Sequence, residues 1–364
     1  MKKGKSKRNN HSECQENNKV SLSNFPDCIL LYILSFLSTK EVVQTLILSK
    51  RWKNVWKNLP TLTLIASYFN TGKGFTEFVS KVMSLRDAST SLHNLEFRCH
   101  DIVDPFLLTS ILEYAVSHNV RRLKILTRCD IQRFPTCLFS CHSLTSLHLS
   151  VCHPKQFSMC TLFPNSLNLP SLTNLYLCHI SFCVGDDGSV EPFSKLTSLT
   201  SLMIVYCEIV DAQNLCISST KLVQLTIYMI SYAPETYFGI DISTPSLCTF
   251  EFHGIPIQKL HRSKRNLSSI KHVCIDLITL WNSVEVSLVL LNWLVELANI
   301  ESLTVSSTTL QVLSLVPDLL TIELPFLCHL KSLKVEKRQI SSIPDGMVDF
   351  LLQHAPSASV VIYY

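Results

Sequence analysis

Apolar residues recur along most of this chain in a fixed three-point pattern. An apolar side chain at a position n is followed by others at n+3 and n+5, and ten such copies follow one another at intervals of 23 to 30 residues. The copies begin at Leu92, Val120, Leu144, Leu172, Leu199, Leu222, Leu247, Ile270, Ile300 and Leu330. A unit this short cannot bury its hydrophobic face alone, so neighbouring copies must stack. The pattern therefore predicts an elongated array.

The spacing within each copy predicts a short strand. Positions n+3 and n+5 are two residues apart, which puts both side chains on the same face of a strand. The n+2 residues, which point the other way, are all polar: Asn94, Arg122, Ser146, Asn174, Ser201, Gln224, Thr249, His272, Ser302 and Ser332. Period and residue types are those of leucine-rich repeats. We predict a curved α/β solenoid with a parallel sheet on its concave face, preceded by a degenerate copy at Leu59, Leu62 and Leu64.

The segments between the copies differ from one another. Residues 105–118 and 286–298 have the pattern of amphipathic helices, whereas other segments are rich in Pro and Ser and are predicted to be turns. Cys152 and Cys207 stand at n+8, a position that is buried in repeats of this type.

Residues 20–64 carry more apolar surface than so short a segment can bury. From Asp27 to Leu37, only Asp27 and Ser35 are clearly polar. A domain this small buries only about 60% of the surface of its unfolded chain. The signals predict three short helices, which begin at Asp27, after Ser38 or Thr39, and at Ser49. Because exposed apolar patches usually mark partner sites, this segment is predicted to dock on another protein.

The same segment resembles an F-box of the plant type. The matching residues are Phe25-Pro26-Asp27, Ile29-Leu30, 33–37, Thr39-Lys40, 48–52, Trp56 and Leu59-Pro60. F-boxes of this family dock on a Skp-type adaptor, which links them to a cullin ubiquitin ligase core. The resemblance implies that the adaptor-facing residues are Phe25, Pro26, Ile29, Leu30, Ile33, Leu37, Leu48 and Trp52. The alternative is that the segment is merely a buried helical cap for the array.

The family pattern is not matched everywhere. An Asp-Arg pair usually stands where this chain has Val20 and Ser21, an acidic residue where it has Cys28, and a proline where it has Ser38. The apolar anchors, which normally carry interface energy, are retained.

The remainder of the chain also resembles plant F-box proteins with leucine-rich repeats, notably in 75–87, 115–121 and 343–358. We expect a disordered basic tail over 1–19, an F-box over 20–61, and a solenoid of about ten repeats over 62–364 with a C-terminal cap from about residue 336. The resemblance implies a non-catalytic substrate-recognition subunit of a Skp–cullin–F-box E3 ubiquitin ligase, whose repeats capture a protein target. The alternative is a repeat scaffold or ligand sensor that is not coupled to ubiquitination.

The net charge of +4 comes entirely from the N-terminus. Residues 1–19 hold six Lys or Arg against two Glu, and the remaining 345 residues hold 26 basic and 26 acidic groups. A protein that binds phosphate backbones carries basic residues across its body, so no nucleic acid partner is expected. The tail is either a nuclear import signal or a solubilising extension. We expect the protein in the nucleus, the cytoplasm or both.

Other classes of protein lack their sequence signals here. The most apolar uncharged run, 286–295, is half the length of about 20 residues that a membrane helix needs, and no signal peptide pattern is present. The fifteen cysteines include no Cys-x-x-Cys pair, which favours reduced thiols over a metal site. Phosphate-loop, metalloprotease and serine-hydrolase motifs do not occur. We therefore expect no membrane partner, no metal, no cofactor and no catalytic site.

The predicted concave face loses its charge in the middle of the array. Tyr176 and Met203 stand at n+4 in their copies, and Tyr228 and His253 stand at n+6. Tyr and Met are favoured at protein interfaces, so these residues are predicted to bind the substrate. The alternative is that they reflect only the residue preferences of strands.

Overall fold

The computed structural model describes residues 25–47, 51–154, 161–185, 188–229, 238–256, 261–262, 267, 269–278, 283–297, 299–319, 327–338 and 341–363. Its helices are α1 (Asp27–Leu34), α2 (Thr39–Gln44), α3 (Trp52–Val55), α4 (Gly72–Leu85), α5 (Pro105–Ser117), α6 (Val284–Glu296), α7 (Ser307–Leu313) and α8 (Met347–Gln353). The predicted basic tail over 1–19 and the contact residue Leu48 lie outside the described residues.

One long sheet runs through the molecule, and every neighbouring pair of its strands is parallel. Its strands, in spatial order, are β1 (Thr61–Ile65), β2 (Asn94–Val103), β3 (Arg122–Cys129), β4 (Ser146–Cys152), β6 (Asn174–Cys178), β8 (Ser201–Val205), β11 (Gln224–Met229), β13 (Thr249–Gly254), β15 (His272–Leu277), β16 (Ser302–Ser306), β17 (Ser332–Glu336) and β18 (Ser359–Tyr363). Spatial order follows chain order, as a solenoid requires.

The strands coincide with the predicted copies. Corresponding positions pair directly, so that Asn94 faces Arg122 and Arg122 faces Ser146. The side chains at n, n+3 and n+5 are buried in all ten copies. Leu62 and Leu64 of the degenerate copy lie in β1, which begins the sheet. The predicted α/β solenoid with a parallel sheet is confirmed.

The two helices predicted between copies are present as α5 and α6. After α5, Asn119 adopts the left-handed conformation at φ 56°, and the amides of Asn119 and Val120 donate to the carbonyls of Val116 and Ala115. This is a Schellman cap, which lets the chain turn directly into the next copy. Helix α6 begins at Val284, because Ser283 Oγ accepts a hydrogen bond from the Val286 amide at 3.3 Å.

Of the other segments between copies, the one after β16 contains the helix α7, and several contain strands where turns were predicted. Two further parallel sheets lie outside the main one: β5 (Thr161–Phe163), β7 (Ile180–Cys183) and β9 (Glu208–Val210), and β10 (Asn214–Ser218), β12 (Gly239–Ser243) and β14 (His261–Arg262). Buried Thr161 and Phe163 in β5, and buried Ile180 and Phe182 in β7, are two residues apart, which is the spacing of a strand and not of a helix. Stacking of the copies aligns these short segments, which a scan of single segments does not reveal.

The F-box segment forms the predicted short helices. Ser38 begins α2 with a reciprocal pair of bonds: its Oγ accepts from the Glu41 amide at 3.3 Å, and Glu41 Oε2 accepts from its amide at 2.8 Å. This capping box supplies a helix start where relatives of this type carry proline. The third helix is described from Trp52 and ends before Pro60.

The F-box is bonded tightly to the first repeat. Thr39 Oγ1 accepts a hydrogen bond from the Thr63 amide of β1 at 2.8 Å. Buried Arg86, which follows α4, donates to the carbonyl of Leu59 at 3.0 and 3.1 Å and to the carbonyls of Thr90 and Ser91. Helices of the F-box therefore cover the β1 edge of the sheet.

At the other end, the sheet continues beyond the last predicted copy. Strand β18 pairs with β17 over five residues, in the region that the sequence analysis gave to a C-terminal cap. Val360 and Ile362 occupy the n+3 and n+5 positions, but Ser357 stands at n, which concealed the copy. On this last strand Val361, Ile362 and Tyr363 are exposed.

Candidate protein-interaction surfaces

Helix α1 presents apolar side chains to solvent. Phe25, Ile29, Tyr32, Ile33 and Phe36, together called the F-box patch, have exposed fractions between 36 and 72%. Their spacing of three and four residues puts them on one face of the helix and its following turn. The rings of Tyr32 and Phe36 meet edge to face with centroids 4.9 Å apart. An exposed aromatic and aliphatic cluster of this kind is typical of a partner site.

Four of the residues predicted to face an adaptor lie at this surface. Phe25, Pro26, Ile29 and Ile33 are exposed, and Leu37 is partly buried against the core. Their binding role stays a prediction.

Leu30 and Trp52 differ from these four residues, because both lie in the core, with 0 and 3% of their surface exposed. Leu30 is one residue past Ile29, so the helix turns its side chain inward beside Leu34. Both support the F-box patch from beneath. Tyr32 and Phe36 were not among the predicted contact residues; their spacing from Phe25 and Ile29 was the available signal.

An exposed ion pair joins the first and third helical segments. Arg51 donates through Nε to Asp27 Oδ1 at 3.0 Å and also through Nη2 to the same oxygen. Surface pairs like this one contribute about 0 to 1 kcal/mol. Its main effect is to fix the start of α1, and with it the F-box patch, against the segment that precedes α3.

The concave face consists of the n+2, n+4 and n+6 side chains of the main sheet. The four residues predicted to bind substrate fall there as two neighbouring pairs: Tyr176 lies beside Met203, and Tyr228 lies beside His253. The rings of Tyr228 and His253 are stacked with centroids 4.0 Å apart and planes 1° apart. The pairs lie on adjacent rows of the sheet, linked through β8, which carries Met203 and Val205. Whether they bind a substrate stays a prediction.

A second stacked pair extends this surface. His148 of β4 stacks on Tyr176 with centroids 3.7 Å apart. Burial, together with the positive charge of Lys124, lowers the pKa of His148 to about 4. Burial raises the pKa of Tyr176 to about 12. Both rings are therefore uncharged near neutral pH. Sequence reasoning missed His148, although its n+4 position in the third copy was a signal.

Beyond Tyr228, the concave face carries a network of contacts between His253, Asp276 and Arg338. His253 Nδ1 lies 3.3 Å from Asp276 Oδ2, and Arg338 forms an ion pair with the same oxygen. Burial alone would raise the pKa of Asp276, but hydrogen bonds from His253 and Ser306 and the charge of Arg338 outweigh it and lower that pKa. This end of the face therefore carries an ionised carboxylate held in place by its neighbours.

The opposite end of the concave face is rich in cations. Glu96 Oε1 lies 2.6 Å from Arg98 Nη2 and 3.3 Å from Lys124 Nζ, and Arg122 donates to Asn94 Oδ1 at 2.6 Å. Burial alone would raise the pKa of Glu96. The hydrogen bonds and positive charges of Arg98 and Lys124 outweigh burial, so the pKa of Glu96 is lowered. Asn94, Glu96, Arg122 and Lys124 border a depression of about 330 Å³ across β1, β2, β3 and β4.

Within the described ranges, no group of three or more His, Cys, Asp or Glu side chains is placed to hold a metal ion. The helices that the structure describes include none with the length and apolar character of a membrane crossing. Burial raises the pKa of Cys274 to about 12 and that of Cys129 to about 11, so both thiols stay protonated and weakly nucleophilic.

Comparison with known proteins agrees with this architecture. The F-box domain model matches residues 22–64. A putative F-box/LRR-repeat protein of Arabidopsis thaliana is 27% identical over 361 residues, covering 94% of this chain and 72% of that protein. An F-box/FBD/LRR-repeat protein of the same plant is 29% identical over 62% of this chain and 50% of its own length. The F-box/LRR-repeat protein 13 of the same plant is 30% identical over 60% of this chain and 48% of its own length. The chain thus matches about half the length of the last two relatives.

Proposed function

Because this chain is a plant-type F-box/leucine-rich-repeat protein, we propose that it is the substrate-recognition subunit of a Skp–cullin–F-box E3 ubiquitin ligase. The F-box binds a Skp-type adaptor and through it the cullin core, and the repeats capture a protein target. The subunit makes and breaks no bonds in this role. It raises the effective concentration of the target beside a ubiquitin-charged enzyme, in the nucleus, the cytoplasm or both.

The F-box patch is the observation that carries this proposal. Its five apolar side chains are exposed although the same helix buries Leu30 and Leu34 completely. Burial of large apolar and aromatic side chains at the centre of an interface supplies most of the energy of protein association. The patch belongs to the part of the chain that matches the F-box model, whose family binds adaptors through this segment.

Co-purification with a Skp-type adaptor tests the proposal. The full chain, co-expressed with the adaptor, is expected to elute as a complex. Ile33→Asp and Phe36→Asp should each weaken binding at least tenfold, because a carboxylate would be buried in an apolar contact. Phe106→Asp is the matched control: Phe106 is 84% exposed on α5, outside the F-box, and its replacement should leave binding unchanged.

Two results would count against the proposal. One is a wild-type chain that does not bind the adaptor; the other is equal behaviour of Phe36→Asp and Phe106→Asp. Either would favour the scaffold or ligand-sensor alternative. In cells with the proteasome blocked, targets should accumulate on the wild-type chain in ubiquitinated form, and on Ile33→Asp in unmodified form.

A further inference from the structure

The charges on the concave face are divided between its two ends. At the n+2, n+4 and n+6 positions of β2 and β3, the charged residues are the cations Arg98, Arg122 and Lys124 and one acid, Glu96, which pairs with Arg98 and Lys124. On β13 and β15, the outward residues include Glu251 and Asp276. A partner that lies along the face therefore meets an excess of positive charge at the end nearest the F-box.

Between these ends lies an uncharged stretch four strands wide. The n+2, n+4 and n+6 side chains of β4, β6, β8 and β11 include no Asp, Glu, Lys or Arg. Its centre is apolar and aromatic: Tyr176 stacked on His148, Met203 beside Tyr176, and Tyr228 on the next row. Aromatic and Met side chains on a rigid sheet offer contact area at a low entropic cost.

Strand spacing sets the distance between the two kinds of surface. The basic residues of β3 and Tyr228 of β11 are four strand intervals apart, which is about 19 Å at about 4.8 Å per interval. An extended polypeptide advances about 3.3 Å per residue, so about six residues bridge the gap.

We propose that the concave face binds an extended segment of the target protein that carries an anionic residue, carboxylate or phosphate, about six residues from an apolar or aromatic side chain. The anion lies against Arg122 and Lys124, and the apolar side chain lies against Met203 and Tyr228. This inference rests on the proposed function, since it names the kind of segment that the receptor recognises.

A peptide fits this face better than a nucleic acid does. Stacked rings beside basic residues also occur where single strands bind, but such sites follow the backbone with continuous positive charge. Here Glu96 lies among the cations, the middle is uncharged, and Glu251 and Asp276 lie at the far end. A phosphate chain along the face would gain no attraction from the uncharged middle and would be repelled by Glu251 at the far end.

Binding of fluorescein-labelled thirteen-residue peptides to the full chain tests the proposal. The test peptide has two aspartates and a Leu-Phe pair six residues further on, in a Ser-Gly background, in both sequence orders. One comparison peptide has lysines for the aspartates, and another halves the spacing. Measured by fluorescence anisotropy, the test peptide should bind at least tenfold more tightly than the lysine peptide and at least threefold more tightly than the short one, and added salt should weaken it. A phosphoserine version of the test peptide distinguishes phosphate from carboxylate.

Variants of the chain locate the contact. Arg122→Glu and Lys124→Glu should each weaken binding of the test peptide at least tenfold. Met203→Asp should remove the preference for peptides that carry the Leu-Phe pair. Lys81→Glu, an identical charge change at an exposed site on α4, is the matched control. Arg122→Gln, which removes the positive charge but keeps a polar side chain, replaces Arg122→Glu if the Glu variant has a lowered melting temperature.

Several results would overturn the inference: equal affinity for all peptides, no binding at millimolar concentration, or tighter binding of a twelve-nucleotide oligouridylate that the same variants abolish. Adaptor binding is measured on the same preparations. Arg122→Glu should leave it intact, and Ile33→Asp should leave peptide binding intact, so failure of this inference and failure of the proposed function are separable.

Discussion

Arg86 is the most heavily bonded side chain at the junction of the F-box and the solenoid. Its guanidinium is buried and donates to the backbone carbonyls of Leu59, Thr90 and Ser91. Removing a charge from water is costly, and hydrogen bonds of good geometry offset that cost. The residue therefore acts by joining two segments of backbone, one at Leu59 and one at Thr90 and Ser91.

Loss of Arg86 is expected to destabilise the fold. Arg86→Met keeps an unbranched stem but leaves buried carbonyls without donors, which should lower the free energy of unfolding by about 2 to 4 kcal/mol. Urea denaturation followed by circular dichroism measures the change. Lys81→Met on the neighbouring helix, at an exposed site, should change it by less than about 0.5 kcal/mol. Equal effects of the two substitutions would show that the hydrogen bonds of Arg86 contribute little.

His148 is expected to make stability depend on pH. Its pKa is lowered to about 4 in the folded chain, against 6.5 when unperturbed, so the unfolded chain binds a proton first as pH falls. The stabilisation is fully present above about pH 6.5 and is lost as pH falls towards about 4. A change from pH 7 to pH 5 should therefore lower Tm less in the His148→Phe variant than in the wild type. Thermal unfolding at both pH values measures the difference. Burial also lowers the pKa of His179, which is unchanged in both proteins, so the difference isolates His148. Parallel pH curves for the two proteins would contradict the assignment.

Among the elements, α2 depends on its capping box. Ser38→Ala removes an acceptor for the Glu41 amide and should lower the free energy of unfolding by about 1 kcal/mol. The hydroxyl of Ser84 donates to the carbonyl of Lys81, three residues earlier on α4. The control Ser84→Ala should therefore be neutral or slightly stabilising. Chemical denaturation of both variants makes the comparison. A neutral Ser38→Ala would mean that α2 is held by packing alone.

The strands of the main sheet were predictable because burial repeats at fixed positions in each copy. Leu147, Leu175 and Leu202 occupy the same place in successive turns, and each turn repeats the same packing problem. The last strand escaped prediction because Ser357 interrupts the pattern, although Val360 and Ile362 keep it.

The details of the candidate surfaces depend on contacts between elements, which local patterns do not specify. Helix α1 is apolar on all sides, so its sequence alone does not say whether Leu30 or Tyr32 faces outward; docking against α3 decides it. Likewise, the position of His148 predicts an outward side chain, but its stacking depends on Tyr176 standing opposite in the next copy.

At the scale of the whole molecule, the two ends of the main sheet differ in what packs against them. Helices of the F-box cover β1, whereas β18 presents exposed apolar side chains on the last strand described. An uncovered strand edge is a template for pairing with another chain.

Deletion of residues 1–60 is therefore expected to cause self-association, because it uncovers β1 and the core beneath it. Sedimentation velocity should show a mass that rises with concentration. Deletion of residues 1–19 alone is the control, since it leaves the F-box in place, and should behave like the full chain. A truncated solenoid with the same mass as the control at every concentration would contradict this role of the F-box.

The hydrogen bonds of Thr39 and Arg86 across the junction also bear on how a captured protein would be presented. A flexible linker would let the protein tumble and offer every side in turn. With the F-box fixed to the first repeat, reach and orientation are set by the folded backbone. In the proposed complex, only those lysines on the side of the target that faces the charged enzyme come within range. The choice of modified lysine then follows from the shape of the assembly, not from the residues that flank that lysine.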